Sequence, residues 1–162
     1  MAKEEKSYFK KFNSPIGMLV LESDGKNLTA LHFEGELEKD FVQTSLPVFA
    51  KTEKWLNSYF SGKKVDGKTL PLSPKGSAFA QKVWARLLDI QYGQVTTYGQ
   101  IAKEINAQSG FSARAVGRAV GSNPIPIIIS CHRVIGKNGS LTGYSGGLDK
   151  KVFLLSLEGY KK

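Results

Sequence analysis

Residues 97–124 read TYGQIAKEINAQSGFSARAVGRAVGSNP, two short helical patterns about a polar break. Thr97 precedes the first and Gln100 follows three residues on, the spacing of a capping box. Tyr98, Ile101, Ala102 and Ile105 then share an apolar face. NAQSGF breaks the pattern, and Ser112 is a good N-cap for a second helix. On that helix Ala115, Val116, Ala119 and Val120 fall on one side, and Arg114, Gly117, Arg118 and Gly121 on the other. A glycine inside a helix costs about 1 kcal/mol against alanine, so two on the outward side call for a reason. Two arginines among side-chain-free positions suit a surface pressed against a phosphate backbone or into a groove. A solvated arginine face with incidental glycines is the plainer alternative. The pair reads as a helix-turn-helix, an arrangement that also occurs as plain structure.

Charge sharpens the choice. The 162-residue chain carries a net +9, enough length for one domain or two small ones. Residues 1–73 hold 11 Lys/Arg against 10 Asp/Glu, and residues 74–162 hold 12 against 4. The excess therefore lies with the helix pair and suggests a polyanionic partner there. One cysteine excludes an intrachain disulfide, and with only His32 and His132 beside it there is little for a zinc site. No metal or cofactor is expected. The opening MAKEEKSYFKKF lacks the apolar core of a signal peptide, and no apolar run nears the roughly 20 residues of a membrane span. These features point to a cytoplasmic protein with no membrane partner.

The first half reads as strands and a helix. KSYFKKFNSPIGMLVLES and NLTALHFEG look like strands with turns at Asn13-Ser14-Pro15 and Asp24-Gly25. PVFAKTEKWLNSYFSG has Phe49, Trp55, Leu56, Tyr59 and Phe60 near helical spacing and stops at Gly62. Nothing in residues 1–73 announces chemistry, and His32 reads as structural. KKVDGKTLPLSPKGS has no helical period and marks a boundary, giving domains 1–73 and 74–162. From Ser77 a helix with Phe79, Val83, Leu87 and Leu88 in its stripe should run to near Tyr92-Gly93.

Downstream, SNPIPIIISCHRVIG holds the lone thiol. Asn123-Pro124 stops the preceding helix, and Ile127–Ile129 read as a short buried strand that delivers Cys131 at its end. A lone cysteine is most simply a small buried hydrophobe. The sharper reading is a nucleophile, since a thiol of pKa about 8.5 is lowered by a cationic or imidazole neighbour. Successive side chains of an extended segment point apart, so His132 reaches Cys131 only through a turn or a bridging water. The imidazole also needs an orienting partner. Glu158, on the margin of the apolar face of GLDKKVFLLSLEG, is either that partner or a solvated residue at a frayed helix end. GKNGSLTGYSGGL between them has five glycines and is a loop open to a flat ligand.

SNPIPIIISCHRVIG, with GYSGGLDKK and LLSLEG after it and FAQKVWARLLDIQYGQVTTYGQIA…SARAVGRAVGSNP before it, resembles the active-site region of the O6-alkylguanine-DNA alkyltransferases. The resemblance covers Phe79 to Gly159. It implies an α/β N-terminal domain of ribonuclease-H-like fold and a mostly α C-terminal domain with a winged helix-turn-helix. It implies double-stranded DNA as partner, bound by a monomer in the minor groove without regard to sequence. Direct-reversal repair follows: Cys131 takes an alkyl group irreversibly from O6 of a flipped-out guanine, with O4-alkylthymine a further candidate substrate. The water-linked relay of the family maps onto Cys131, His132 and Glu158. Arg114 matches the arginine that enters the duplex, with Ser112, Gly117 and Arg118 beside it on the DNA face. Tyr98 matches the tyrosine that assists rotation of the 3′ phosphate and donates to N3 of guanine. Asn123 joins recognition helix to active-site strand. Tyr144, Ser145 and Gly146 belong to the loop over the base, with Ser145 near O6, and the Cys131 and Val134 carbonyls accept from the base. Ser130 departs from the proline usual before the cysteine.

Two other readings compete. A catalytically silent, lesion-binding relative would keep the helices and lack the nucleophile, which is present here. A cysteine hydrolase would turn over repeatedly and finds no use for the basic half or the Arg/Gly helix.

Overall fold

Two polar turns set the first sheet. Ser14 Oγ donates to the Gly17 carbonyl at 2.6 Å, and the Asp24 carboxylate accepts from the Lys26 and Asn27 amides. Gly17 and Gly25, both at φ 109°, take the left-handed conformations these reversals need. Strands β1 (Tyr8–Ser14), β2 (Gly17–Ser23) and β3 (Leu28–His32) pair antiparallel in that order. The computed structural model of the protein describes residues 6–37, 39–106, 113–141, 143–144 and 146–160. Helix α1 (Pro47–Phe60) begins at a proline and buries Val48, Phe49, Thr52, Trp55, Leu56 and Tyr59.

The second half is mostly helical. Ser77 caps α2 (Ala78–Leu88) by accepting the Ala80 amide. That helix ends short of Tyr92-Gly93. The amides of Asp89 and Ile90 bond back to Arg86 and Leu87, and Gly93 at φ 84° turns the chain. A two-residue strand β4 (Thr96–Thr97) leads into α3 (Tyr98–Asn106). Thr97 Oγ1 accepts the Gln100 amide as expected, but the Gln100 side chain bonds Glu104 and leaves the capping box half made. Helix α4 (Ala113–Gly121) buries Val116, Ala119 and Val120, and the Trp84 indole of α2 donates to its Ala119 carbonyl at 2.9 Å. Ser112, the expected cap of α4, lies outside the described residues. Strand β5 (Val134–Ile135) pairs parallel with β4, and α5 (Leu148–Leu157) closes the chain. No helix among the described residues is long and apolar enough to cross a membrane.

The isoleucine run is not the strand its composition suggests. Residues 124–129 form a single tight turn flanked by bends, with Ile127 at φ 73° and the Ile129 amide bonded to the Ile125 carbonyl. Asn123 supplies what a partner strand would have supplied. Its Oδ1 accepts the Ile125 amide at 3.0 Å, and its Nδ2 donates to the Ile129 carbonyl at 2.7 Å. A β-branched residue at positive φ costs about 1–3 kcal/mol. Complete burial of Ile125, Ile127 and Ile129 offsets that cost.

This segment docks onto the first half. The Leu31 amide of β3 donates to the Pro124 carbonyl at 2.9 Å, and Leu28 exchanges bonds with Pro71 and Ser73, so the outer edge of β3 is covered. Gly67 lies so close to the turn that a Cβ there would stand 2.6 Å from the Ile128 carbonyl oxygen. That contact is backbone and cannot swing aside. Gly67→Ala should therefore destabilise the fold by about 1–3 kcal/mol, read as a lowered midpoint in thermal denaturation.

Candidate active site

Cys131 opens a single 3₁₀ turn, Cys131–Arg133, held by the Cys131 amide on the Ile129 carbonyl and the Arg133 amide on Ser130. The backbone is a turn and not extended, but consecutive side chains still point to different sides, Cys131 to the cleft and His132 to Glu158. Ser130 finds its explanation here. Its buried hydroxyl donates to the Leu87 carbonyl at 2.7 Å, fastening the turn to the end of α2. Its φ of −78° is within the range of the proline it replaces.

Behind the turn stands Glu158, at the C-cap of α5 and 7% exposed. It is the buried, partnered residue of the two alternatives. Oε1 accepts from Arg133 Nε at 2.8 Å and from the Gly93 amide at 3.1 Å. Oε2 receives the Tyr59 hydroxyl and His132 Nε2, each at 2.6 Å, and Arg133 Nη2 at 3.2 Å. Burial alone pushes this carboxyl up, but hydrogen bonds and charge from His132 and Arg133 outweigh it and hold it at about 2. An ionised carboxylate requires a proton on Nε2, so neutral His132 keeps its lone pair on Nδ1. Nδ1 is buried with no hydrogen-bond partner among the described residues.

The thiol is quiet at rest. Burial pushes Cys131 up to about 11, against the opposing pull of the Asn123 amide, the Lys151 ammonium and Tyr144. The Tyr144 hydroxyl lies against the sulfur, without a hydrogen bond of standard geometry. Lys151 is fully buried and donates to the Val134 carbonyl at 2.7 Å. Burial lowers the pKa of His132, against the raising effect of Glu158.

Cys131 lies at a cleft of about 550 Å³ whose walls include Tyr98, Arg114, Gly117, Gly121 and Tyr144. The structure thus gathers most of the expected residues, with Asn123 clamping the floor and His132 and Glu158 behind it. Arg114 and Arg118 are exposed on α4, and Arg118 is not part of the cleft wall. Val134 is fully buried away from it, its carbonyl on Lys151. Gly146 backs onto the Phe33 ring, 2.9 Å from where its Cβ would be, and Gly147 at φ 103° caps α5. The need for these two glycines is met inside the fold, and not by the flat ligand to which the glycine-rich loop reads as open. Ser112 and Ser145 lie outside the described residues.

Sequence reasoning passed over Tyr59, Gly93, Arg133 and Lys151. Lys151 left a trace: with Leu154, Leu155 and Glu158 it follows the i, i+3, i+4, i+7 stripe of a buried face. Tyr59 left none beyond its place on the apolar face of α1.

Comparison with known proteins agrees with this geometry. Residues 7–74 match the ribonuclease-like domain, and residues 78–160 the DNA-binding domain, of 6-O-methylguanine DNA methyltransferase. The chain belongs to that family. It is 46% identical over 155 residues to the methylated-DNA–protein-cysteine methyltransferase of Haemophilus influenzae, covering 93% of this chain and 86% of that one. The Methanosarcina acetivorans protein of the same name is 44% identical, covering 94% and 98%. A crystal structure of Mycobacterium tuberculosis OGT in complex with DNA superposes with a TM-score of 0.81 at 42% identity, over 93% of this chain and 92% of that one. As a 6-O-methylguanine DNA methyltransferase family member, the protein joins an α/β ribonuclease-like half to a helical DNA-binding half.

The Glu158 carboxyl ties stability to pH. It titrates near 2 in the fold and near its ordinary 4.5 when unfolded, a difference worth about 3 kcal/mol. Because the folded value is the lower one, this stabilisation is complete above the ordinary carboxylate range and fades as pH falls from about 5 towards 2. Denaturant titrations across that interval should show the decline, and Glu158→Gln should flatten it.

Proposed function

We propose that this protein repairs alkylated DNA by moving the alkyl group from O6 of guanine onto its own Cys131, once per molecule. The observation that carries the reading is one thiol at the DNA-side cleft with a buried imidazole–carboxylate pair behind it. A thiol near 11 is ionised at neutral pH in only about one molecule in ten thousand, so a proton acceptor is needed. Nδ1 of His132 takes the thiol proton, through a bridging water in the relay the resemblance implies, and Glu158 stabilises the imidazolium. The thiolate attacks the alkyl carbon, the S–C bond forms, and the C–O6 bond breaks. Its electron pair passes to guanine, where the Tyr98 hydroxyl donates a hydrogen bond to the charge developing at N3 and solvent supplies the proton that the released base takes up. Lys151 favours the thiolate electrostatically. The thioether product offers no carbonyl to water, so the reaction stops there.

DNA recognition rests on α4. Arg114 and Arg118 are exposed, and a Cβ at Gly121 would meet nothing within 4 Å, while one at Gly117 would only touch the Tyr98 ring at 3.7 Å. Nothing among the described residues demands these glycines, which supports a close external surface. We take that surface to be the minor groove, approached by a monomer through phosphate contacts and without sequence preference. Arg114 fills the space of the flipped nucleotide, Ser112 contacts the backbone, and Tyr144, Ser145 and Gly146 frame the base. Residues 1–73 and 74–162 serve as separate domains of a cytoplasmic protein. The intact nucleophile argues against the silent lesion-binding reading.

Mixing with an O6-methylguanine duplex should add one methylene to Cys131 by mass spectrometry, at one equivalent per protein. An unmodified Cys131, or continued turnover, would sink the reading. Cys131→Ser should abolish transfer and retain duplex binding. Arg114→Ala should slow transfer from duplex by about a hundredfold, the scale of an unstacking cost of a few kcal/mol, and leave reaction with a free alkylated base unchanged. Equal losses on both substrates would remove the finger role.

A further inference from the structure

We infer that Tyr59, carried on α1 in the first half of the chain, is a positioning residue of the transfer reaction, holding the Glu158 carboxylate in place for His132. The inference rests on the transfer reading above.

Tyr59 is completely buried, and its hydroxyl donates to Glu158 Oε2 at 2.6 Å. That is the oxygen facing His132 Nε2, itself 3.4 Å from the Tyr59 hydroxyl. The ring has no room to swing. It stacks on Trp55 at 5.5 Å and 4°, and meets Phe60, Tyr92 and His132 edgewise at 5.3, 5.9 and 6.4 Å. Trp55 is fixed in turn by its indole bond to the Asp66 carbonyl. Phenylalanine would fill this space equally well, so the hydroxyl serves something other than packing.

Neutralising Glu158 is not its task, because Arg133 already forks onto both oxygens. What Tyr59 adds is a fixed direction for Oε2 and one more donor to it. Burial and the nearby Glu158 charge push the phenol far above its ordinary pKa, so its proton stays in place. Among the described residues, the other titratable or charged groups around Tyr59 and Glu158 are Tyr92 after α2, Cys131, His132 and Arg133 on the 3₁₀ turn, Tyr144 on the loop, and Lys151 on α5. Removing the Tyr59 donor raises the proton affinity of the Glu158–His132 pair. The pair then picks up a proton at higher pH, and Nδ1 is no longer free to accept one from the thiol.

The test uses full-length wild type, Tyr59→Phe and Trp55→Phe, with alkyl transfer rates from an O6-methylguanine duplex followed from about pH 5 to 9. Affinity for undamaged duplex is measured alongside. Tyr59→Phe should react about tenfold more slowly at neutral pH, the scale of one hydrogen bond to a charged group. Its acid limb should move to higher pH, with duplex affinity unchanged. Trp55→Phe, which disturbs the packing and spares the hydroxyl, should leave the limb where wild type has it. Installing 3-fluorotyrosine at position 59 keeps the shape, donates more strongly, and should move the limb to lower pH. This variant decides the matter even where Tyr59→Phe folds poorly. An unmoved limb in the fluorinated protein, or equal shifts in the Tyr59 and Trp55 variants, overturns the inference. Wild type that transfers no alkyl group overturns the transfer reading itself.

Discussion

A buried carboxylate is expensive unless donors surround it, and Glu158 organises the molecule around that requirement. Its donors come from α1, the loop after α2, the turn at Cys131 and that turn's arginine. None of these segments is close to α5 in sequence, and each is poorly placed to act alone. Three of these donors, from Gly93, His132 and Arg133, share the second half with Glu158, and they already satisfy its charge. Tyr59 alone reaches the carboxylate from the first half, so its hydroxyl is the point at which docking of the two halves bears on the oxygen that faces His132.

The thiol shows the complementary logic. A nucleophile consumed in one reaction should not meet stray electrophiles or oxidants on the way. Cys131 is 6% exposed and held protonated by its surroundings. Its reactivity is latent in the neighbours: an imidazole whose free nitrogen is buried, a lysine turned to a carbonyl beside it, and a tyrosine on the sulfur. On the transfer reading proposed above, substrate in the cleft completes the arrangement.

Much of this was legible in the residues. The helix pair and the Arg/Gly face follow from periodicity and charge, whereas the Cys131–His132–Glu158 set is what the family resemblance implies, since the pattern alone leaves Glu158 either partnered or solvated. The isoleucine strand does not exist, because composition reports that a segment is buried and not what completes its hydrogen bonds. Asn123 does that within one turn, a side-chain choice invisible to a hydrophobicity pattern. Ser130 is similar: in the motif it shows only as a departure from the usual proline, and a hydroxyl bond to Leu87 fastens the turn instead. Tyr59 was out of reach, since a tyrosine on an apolar helix face reads as core and nothing local says where its oxygen points.

The two outward glycines of α4 carry a last implication. They weaken the helix in the isolated protein, and among the described residues no neighbour requires them. Alanine at Gly121 would meet nothing within 4 Å among those residues and would favour the helix, yet on the proposed mode of binding its methyl group would stand on the face offered to the duplex. On that reading thermal robustness and close approach to DNA are opposed at one position, and a variant that gains the first shows it as loss of the second.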